Sequence, residues 1–235
     1  MQIADPTATT LRAEREVYEE LLELDDKRIL DLGCGGAWHT RFLAEGGSGR
    51  RVTGLEVDAI QHRKNLAIEG YPNITFRAGG AEAIPAEDES FDLVFMFKSL
   101  HHVPEPLMDQ ALSEIRRVLV PGGLAWISEP VFAGDFNEVL RLFHDESRVR
   151  RAAFEAVKRA VENGVLALER QIFFLNPMHF EDFDEFAERI IGVTHTRHDL
   201  SEEKLAQVRT AFERHMTDDG AHFAQPVRVD LLRRD

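Results

Sequence analysis

Between Lys27 and Pro130 the chain alternates short runs of branched and aromatic residues with amphipathic stretches, and this alternation admits few folds. "KRILDLG" reads as a buried strand, "HTRFLAEGG" as a helix halted by Gly46 and Gly47, and "RRVTGLEV" as a second strand. The pattern continues with a helix over "AIQHRKNLAIEG", a strand at "ITF", a fourth at "FDLVFMF", a helix over "PLMDQALSEIRRVLV" and a fifth strand at "LAWISEP". Strands joined through helices run parallel, because a parallel pair needs a crossover, and a parallel sheet needs cover on both faces. The expected class is therefore α/β, with a doubly wound sheet.

The flanks extend this frame. "TLRAEREVYEELLEL" sets Leu11, Val17 or Tyr18, Leu21, Leu22 and Leu24 near one side, which predicts an N-terminal helix within residues 1–26. After Pro130 the alternation breaks. Phe136, Val139, Leu140 and Phe143, then Phe154, Val157 and Val161, recur at helical spacing and predict a helical insertion over 132–170. Its apolar stripes must pack on the sheet, on each other, on a partner or over a ligand; a lid over the acceptor or a dimer interface is the role expected of it. Beyond it come a helix at "FEDFDEFAERIIG", a strand at "VTHTRHDL", a helix at "SEEKLAQVRTAFERHM" and a last strand at "FAQPVRVDLLRR", in which Pro226 marks the start or an irregularity. A length of 235 residues suits one domain, 1–235.

Charge and cysteine content exclude several roles. The 42 acidic and 28 basic residues leave a net charge of −14, which repels a phosphate backbone, so nucleic acid is not an expected partner. The single cysteine, Cys34, rules out an internal disulfide framework and offers no cysteine-rich metal site. No uninterrupted apolar run is long enough for a membrane span, and "MQIADPTATTLRAERE" has no basic stretch followed by an apolar one. The expectation is a cytoplasmic protein with no membrane partner.

The chemistry begins at "ILDLGCGGAW". A glycine-rich turn after the first strand lets a ligand approach the backbone, and the helix that follows presents free amide donors. Glu56 ends the second strand 21 residues beyond Gly35, where an acid can accept both hydroxyls of a ribose. Together they point to an adenosine-containing ligand. A dinucleotide fingerprint counted from Gly33 needs a small third residue at position 38, but Trp38 stands there. Asp31 would attract a cationic amino group and repel a pyrophosphate.

Four segments in order, "ILDLGCGGAWHTRFLA", "VTGLEVDA", "GGAEAIPAEDESFDLVFMFKSLHHV" and "LSEIRRVLVPGGLAWISEP", make the chain resemble the class I S-adenosylmethionine-dependent methyltransferases of the small-molecule type, over about Lys27 to Pro130. "FLNPMHFEDFDEFAERIIG" resembles, less specifically, the helix that leads to the last two strands of such enzymes. The resemblance implies a Rossmann-like sheet of about seven strands, mostly parallel with an antiparallel last strand. It implies S-adenosylmethionine as cofactor, with Asp31, Gly33, Cys34 and Gly35 at its methionine part, Glu56 on the ribose, and Val57 and Asp58 beside the adenine. Many relatives carry an Asp on the adenine amino group where this chain has Gly80, so Glu82 or the main chain of Ala81 is left to replace it. Lys98 and Ser99 fall nearest the cofactor after the fourth strand. His101 and His102 are candidate catalytic bases, or parts of a structural loop that bonds main chain.

Other groups admit plainer readings. His195 and His198 are three apart and would point to opposite faces of a strand, so no metal is expected there. His144, Asp145 and Glu146 read as solvated surface. Glu129, at the ligand-bearing end of the fifth strand, is either an acceptor-side group or an ordinary strand cap. Arg141, Arg148, Arg150 and Arg151 make the insertion locally basic, either to draw an anionic acceptor or as a solvated face. The expected reaction is in-line methyl transfer to a small-molecule acceptor. An NAD-dependent oxidoreductase, or a non-catalytic methyltransferase-like binding subunit, is the alternative.

Overall fold

A computed structural model describes residues 1–193, 198 and 200–235. The strands are β1 (Arg28–Leu32), β2 (Arg51–Glu56), β3 (Ile74–Ala78), β4 (Phe91–Phe97), β5 (Leu119–Pro130), β6 (Ala167–Phe180), β7 (Met216–Thr217) and β8 (Gly220–Arg233). The main sheet has the order β3-β2-β1-β4-β5-β8-β6, and the short β7 pairs with β8. The first five strands are mutually parallel, while β8 is antiparallel to both β5 and β6. The Rossmann-like sheet with a reversed last strand is thus present.

Alternation along the central strands sorts their side chains into two layers. Leu30, Leu32, Val94, Met96, Ala125 and Ile127 face α4 (Met108–Val118) and α6 (Ser147–Glu162), meeting Leu112, Ile115, Ala153 and Val157. Ile29, Leu93, Phe95 and Trp126 face the other way, toward Val17 and Tyr18 of α1 (Glu14–Leu21) and Leu43 of α2 (Trp38–Ala44). Removing each such Leu, Ile or Phe side chain from water contributes about 1.5–3 kcal/mol, so the layers hold the sheet's central register firmly.

A third core lies beyond the strand ends. Phe136, Val139 and Leu140 of α5 (Asp135–Leu140) meet Phe180, Phe183 and Phe186 around α7 (Phe183–Phe186), Val208 and Phe212 of α8 (Glu202–Glu213), and Phe223 of β8. The ring pairs are mostly edge-to-face, as at Phe180–Phe186 with centroids 5.4 Å apart.

Several expectations change. The N-terminal helix is confined to Glu14–Leu21; Leu11 is exposed and makes a bridge with Leu175 instead, where Thr10 and Arg12 bond the Leu175 main chain and occupy the free edge of β6. The expected insertion divides. Its long helix α6 is an ordinary crossover packed on α4, α5 joins the third core, and residues 167–170 already belong to β6. The strand after β5 is this β6. Its largely half-exposed edge position, the bulge near Leu168 and Pro177 hide the alternation that would have marked it. The strand expected at "VTHTRHDL" falls largely on 194–197 and 199, outside the described residues, as does His195.

Candidate functional site

The chain leaves β1 toward β2 and β3, then crosses back to β4, which lies against the other side of β1. At such a reversal the loops of neighbouring crossovers part, and a crevice opens beyond the carboxyl ends of the strands. The glycine turn occupies this crevice. Gly33 and Gly35 have φ of +68° and +51°, the left-handed region that glycine enters without penalty. The Gly33 and Cys34 amides both donate to the Leu55 carbonyl, at 2.9 and 3.0 Å, which ties the turn to β2. A Cβ on Gly33 would lie 2.8 Å from the Ser99 Cβ, whereas Gly35 and Gly36 face open space. The turn is closed on one side by packing and open on the other.

Two acids flank it. Asp31 is buried; one carboxylate oxygen accepts from Thr40 Oγ1 at 2.6 Å, and the other, Oδ1, has no partner. Burial, reinforced by the nearby Glu56 charge and opposed by the Thr40 bond, pushes its pKa up to about 7. Glu56 accepts from the Gly35 amide through Oε2 at 2.7 Å and from the Asp58 amide through Oε1 at 2.8 Å. Those two bonds fix its carboxylate at the end of β2 and leave a lone pair on each oxygen.

The remaining expected cofactor residues take more varied places. Cys34 is buried beneath the turn, its sulfur 3.5 Å from Asn65 Nδ2, and burial pushes its thiol pKa up; it supports the loop and its side chain faces no ligand space. Val57 is 71% exposed and Ile60 50%, a pair of apolar side chains in solvent beside Glu56. The Asp58 carboxylate caps α3 (Ala59–Asn65) by accepting from the Ile60 amide at 2.8 Å. At Gly80 an added Cβ would collide with the Glu82 carboxylate, whose Cδ lies 2.6 Å from that point. Ala81 is buried. Ser99 donates to the Leu32 carbonyl at 2.8 Å and underlies Gly33. Lys98, at φ +54°, sends its ammonium to Glu14 of α1 at 2.7 Å, and Trp126 Nε1 donates to the same carboxylate at 3.1 Å. Burial opposes the Glu14 charge, but the Lys98 charge, the nearby His39 and the hydrogen bonds from Lys98 and Ser128 together outweigh it and hold the pKa at about 2.

Next to the turn lies a cavity of about 430 Å³ lined by Trp38, Lys98, His101, His102, Phe136 and Glu146, among others. Trp38 does not crowd the turn; it is 63% exposed, packs edge-on against Phe42 and forms part of this wall. His101 is buried between two glutamates. Nδ1 is 2.5 Å from Glu129 Oε2, Nε2 is 3.4 Å from Glu146 Oε1, and the His101 amide donates to Glu129 Oε1 at 3.2 Å. Burial opposes its charge, yet Glu129 and then Glu146 raise the pKa to about 9. As a protonated donor to both acids it is no base at neutral pH in this state. His102 is exposed at the cavity rim. Glu129 acts through His101, not as a bare strand cap.

Glu146 corrects another expectation. It is buried, not solvated, and bonds Arg150 at 2.5 Å and His144 Nε2 at 3.0 Å. Of the four insertion arginines only Arg150 is buried, and Glu146 and Asn137 neutralise and satisfy it; Arg141 pairs with Glu138, and Arg148 with Glu105, at the surface. Sequence reasoning missed Glu14 and Glu146 because each stands among charged neighbours that read as solvent-facing. Among the described residues, no helix is long and apolar enough to cross a membrane.

Residues 29–123 match a family model described as a methyltransferase domain. A methyltransferase GfsG of Streptomyces halstedii is 30% identical over 133 residues, 54% of this chain and 46% of that protein. Phthiotriol/phenolphthiotriol dimycocerosates methyltransferase 1 of Mycobacterium ulcerans is 29% identical over 178 residues, 73% of this chain and 62% of its own. The chain thus spans about half to three-fifths of these relatives. The crystal structure of the YcgJ protein from Bacillus subtilis superposes with a TM-score of 0.66 over 94% of this chain and 97% of that one, at 20% identity, a likeness of fold. The sheet order and glycine turn define a Rossmann-like α/β protein with a crevice where the strand order reverses. Over residues 29–123 the chain thus carries a methyltransferase-like domain.

Proposed function

We propose that the protein binds S-adenosylmethionine in the crevice and transfers its methyl group to a small-molecule acceptor held in the cavity beside Trp38 and Lys98. The observation that carries this reading is Asp31, a buried carboxylate whose Oδ1 is left without a partner next to an open glycine turn. An unpaired buried acceptor of this kind costs free energy until a donor reaches it, and an amino-acid ammonium is a donor of the right charge. A pyrophosphate is not, so the nicotinamide-dinucleotide alternative fails at the same residue.

S-adenosylmethionine supplies a methyl on a positively charged sulfur, and its in-line displacement by the acceptor yields S-adenosylhomocysteine. The chain's own residues bind, align and exclude water. Glu56 offers its two remaining lone pairs to ribose hydroxyls, and exposed Val57 and Ile60 offer apolar cover to a flat ring. Glu82 occupies the space a side chain at Gly80 would fill, and there takes the role of the missing acid toward the adenine amino group. Lys98 holds α1 against the strand end through Glu14 and so closes the crevice from that side. The net charge of −14 disfavours nucleic acid as acceptor.

Calorimetry with S-adenosylmethionine and S-adenosylhomocysteine tests the reading. Both bind in the expected outcome, and Glu56→Ala weakens each by about 1.5–3 kcal/mol, the range for hydrogen bonds to a charged group. Absence of binding by either compound refutes the proposal. Binding without methyl transfer to any small acceptor favours a non-catalytic binding subunit.

A further inference from the structure

We propose that His101, His102 and Glu146 form a binding site for a divalent transition-metal ion on the cavity wall. Each offers one ligand atom, and these atoms lie within 4.8 Å of one another. Proximity alone is common; the orientation of the groups is what distinguishes this cluster. Glu129 holds His101 by Nδ1 at 2.5 Å, which turns Nε2 toward Glu146 Oε1. Arg150 holds Glu146 by Oε2, at 2.5 and 3.1 Å, and is itself held by Asn137 Oδ1 at 3.2 Å. That leaves Oε1 facing the histidines, and His144 Nε2 stands 3.0 Å from it.

Two of the three ligands are thus each fixed by an outer partner on the atom that a metal would not use, the arrangement that orients ligating imidazoles and carboxylates. In the metal-free protein His101 Nε2 and Glu146 Oε1 face each other across 3.4 Å; an ion between them takes the place of any Nε2 proton, which leaves to solvent. Two imidazoles and one carboxylate suit Zn²⁺, Co²⁺ or Fe²⁺ and are a poor set for Mg²⁺ or Ca²⁺. Three protein ligands leave a coordination position open to the cavity. Resting on the methyl-transfer reading, that position would hold the nucleophilic atom of the acceptor.

The test needs no cofactor or acceptor, so its failure is separable from failure of the methyltransferase reading, which calorimetry with S-adenosylhomocysteine decides. Chelator-treated full-length protein is titrated with Co²⁺, read by its visible ligand-field absorption, and with Zn²⁺ and Mg²⁺ by calorimetry. One equivalent of Co²⁺ or Zn²⁺ binds and Mg²⁺ does not. His102→Ala, at an exposed position that spares the fold, weakens Co²⁺ binding at least tenfold, and Glu146→Gln does the same. His222→Ala, at the surface pair His179–His222, leaves it unchanged. No stoichiometric Co²⁺ uptake, uptake indifferent to His102→Ala, or uptake lost in His222→Ala overturns the proposal.

Discussion

Under the proposed binding of S-adenosylmethionine, removing the Glu82 carboxylate is the most informative perturbation of the crevice. Position 80 lacks a side chain, and the Glu82 carboxylate lies where one would be, its Cδ 2.6 Å from a Cβ built there. A hydrogen bond from an adenine amino group to that carboxylate falls in the range of about 1.5–3 kcal/mol for bonds to charged groups. Glu82 is half-buried, so solvent screens the bond and about 1–2 kcal/mol is the expected loss in Glu82→Ala, roughly five- to thirty-fold in affinity. Restoring an acid from the other position provides the control. Gly80→Asp alone sets two carboxylates in one space and weakens binding, whereas Gly80→Asp combined with Glu82→Ala returns affinity to within about threefold of the original. Calorimetry with S-adenosylhomocysteine, repeated with an analogue lacking the 6-amino group, supplies the assay. The analogue binds the native protein and Glu82→Ala equally. Equal losses for both ligands, or a double variant no better than Glu82→Ala, would show that the carboxylate serves the loop and not the base.

Other expectations follow from the buried charges and the turn. Asp31 titrates near 7 in the free protein, so binding a cationic amino group below that pH must expel its proton; affinity for S-adenosylhomocysteine should fall by up to tenfold per pH unit from 7 toward 5.5, and Asp31→Asn should abolish the dependence, as calorimetry over pH would show. Lys98→Ala leaves Glu14 buried with the neutral donors Trp126 and Ser128 and should cost about 3 kcal/mol in urea unfolding at pH 7. Because the folded pKa of Glu14 is depressed to about 2 from 4.5, its stabilisation is complete above about pH 4.5 and is lost as pH falls toward 2; the variant should lose this acid sensitivity. Gly33→Ala combines left-handed strain with a 2.8 Å approach to Ser99 Cβ and should cost about 3 kcal/mol, lowering Tm by roughly 6–12 °C in a thermal melt.

The sequence carried the central sheet because each of its strands shows the pattern of a strand buried on both faces, and the turn because its glycines stand where left-handed backbone is required. β6 was not legible. An edge strand has no second strand to bury it, and on its outer side only the Leu175 main chain is bonded, by Thr10 and Arg12 from far away in the chain. The grouping of Asp31, Gly33 and Glu56 could be read from local spacing, since they lie on adjacent strands and one turn. The cavity wall could not, because Glu129 comes from β5, Glu146 from the start of α6 and His101 from the loop after β4. Only the closed fold brings them within hydrogen-bonding distance. Burial of Glu14 and Glu146 had the same invisibility, since burial of a charge depends on partners that no local pattern specifies.

The phenylalanine core beyond the strand ends gives the cavity wall an independence that the rest of the crevice lacks. Phe180, Phe186, Phe212 and Phe223 pack on one another, while Phe136 and Leu140 of the same group, with Ile190 and Met178 beside them, reach the cavity. Substitutions at Ile190 or Met178 therefore reshape the cavity without touching the layers that hold Asp31 and Glu56. In evolutionary terms its wall is an exchangeable part: it can change one side chain at a time while the glycine turn and its two acids stay constant.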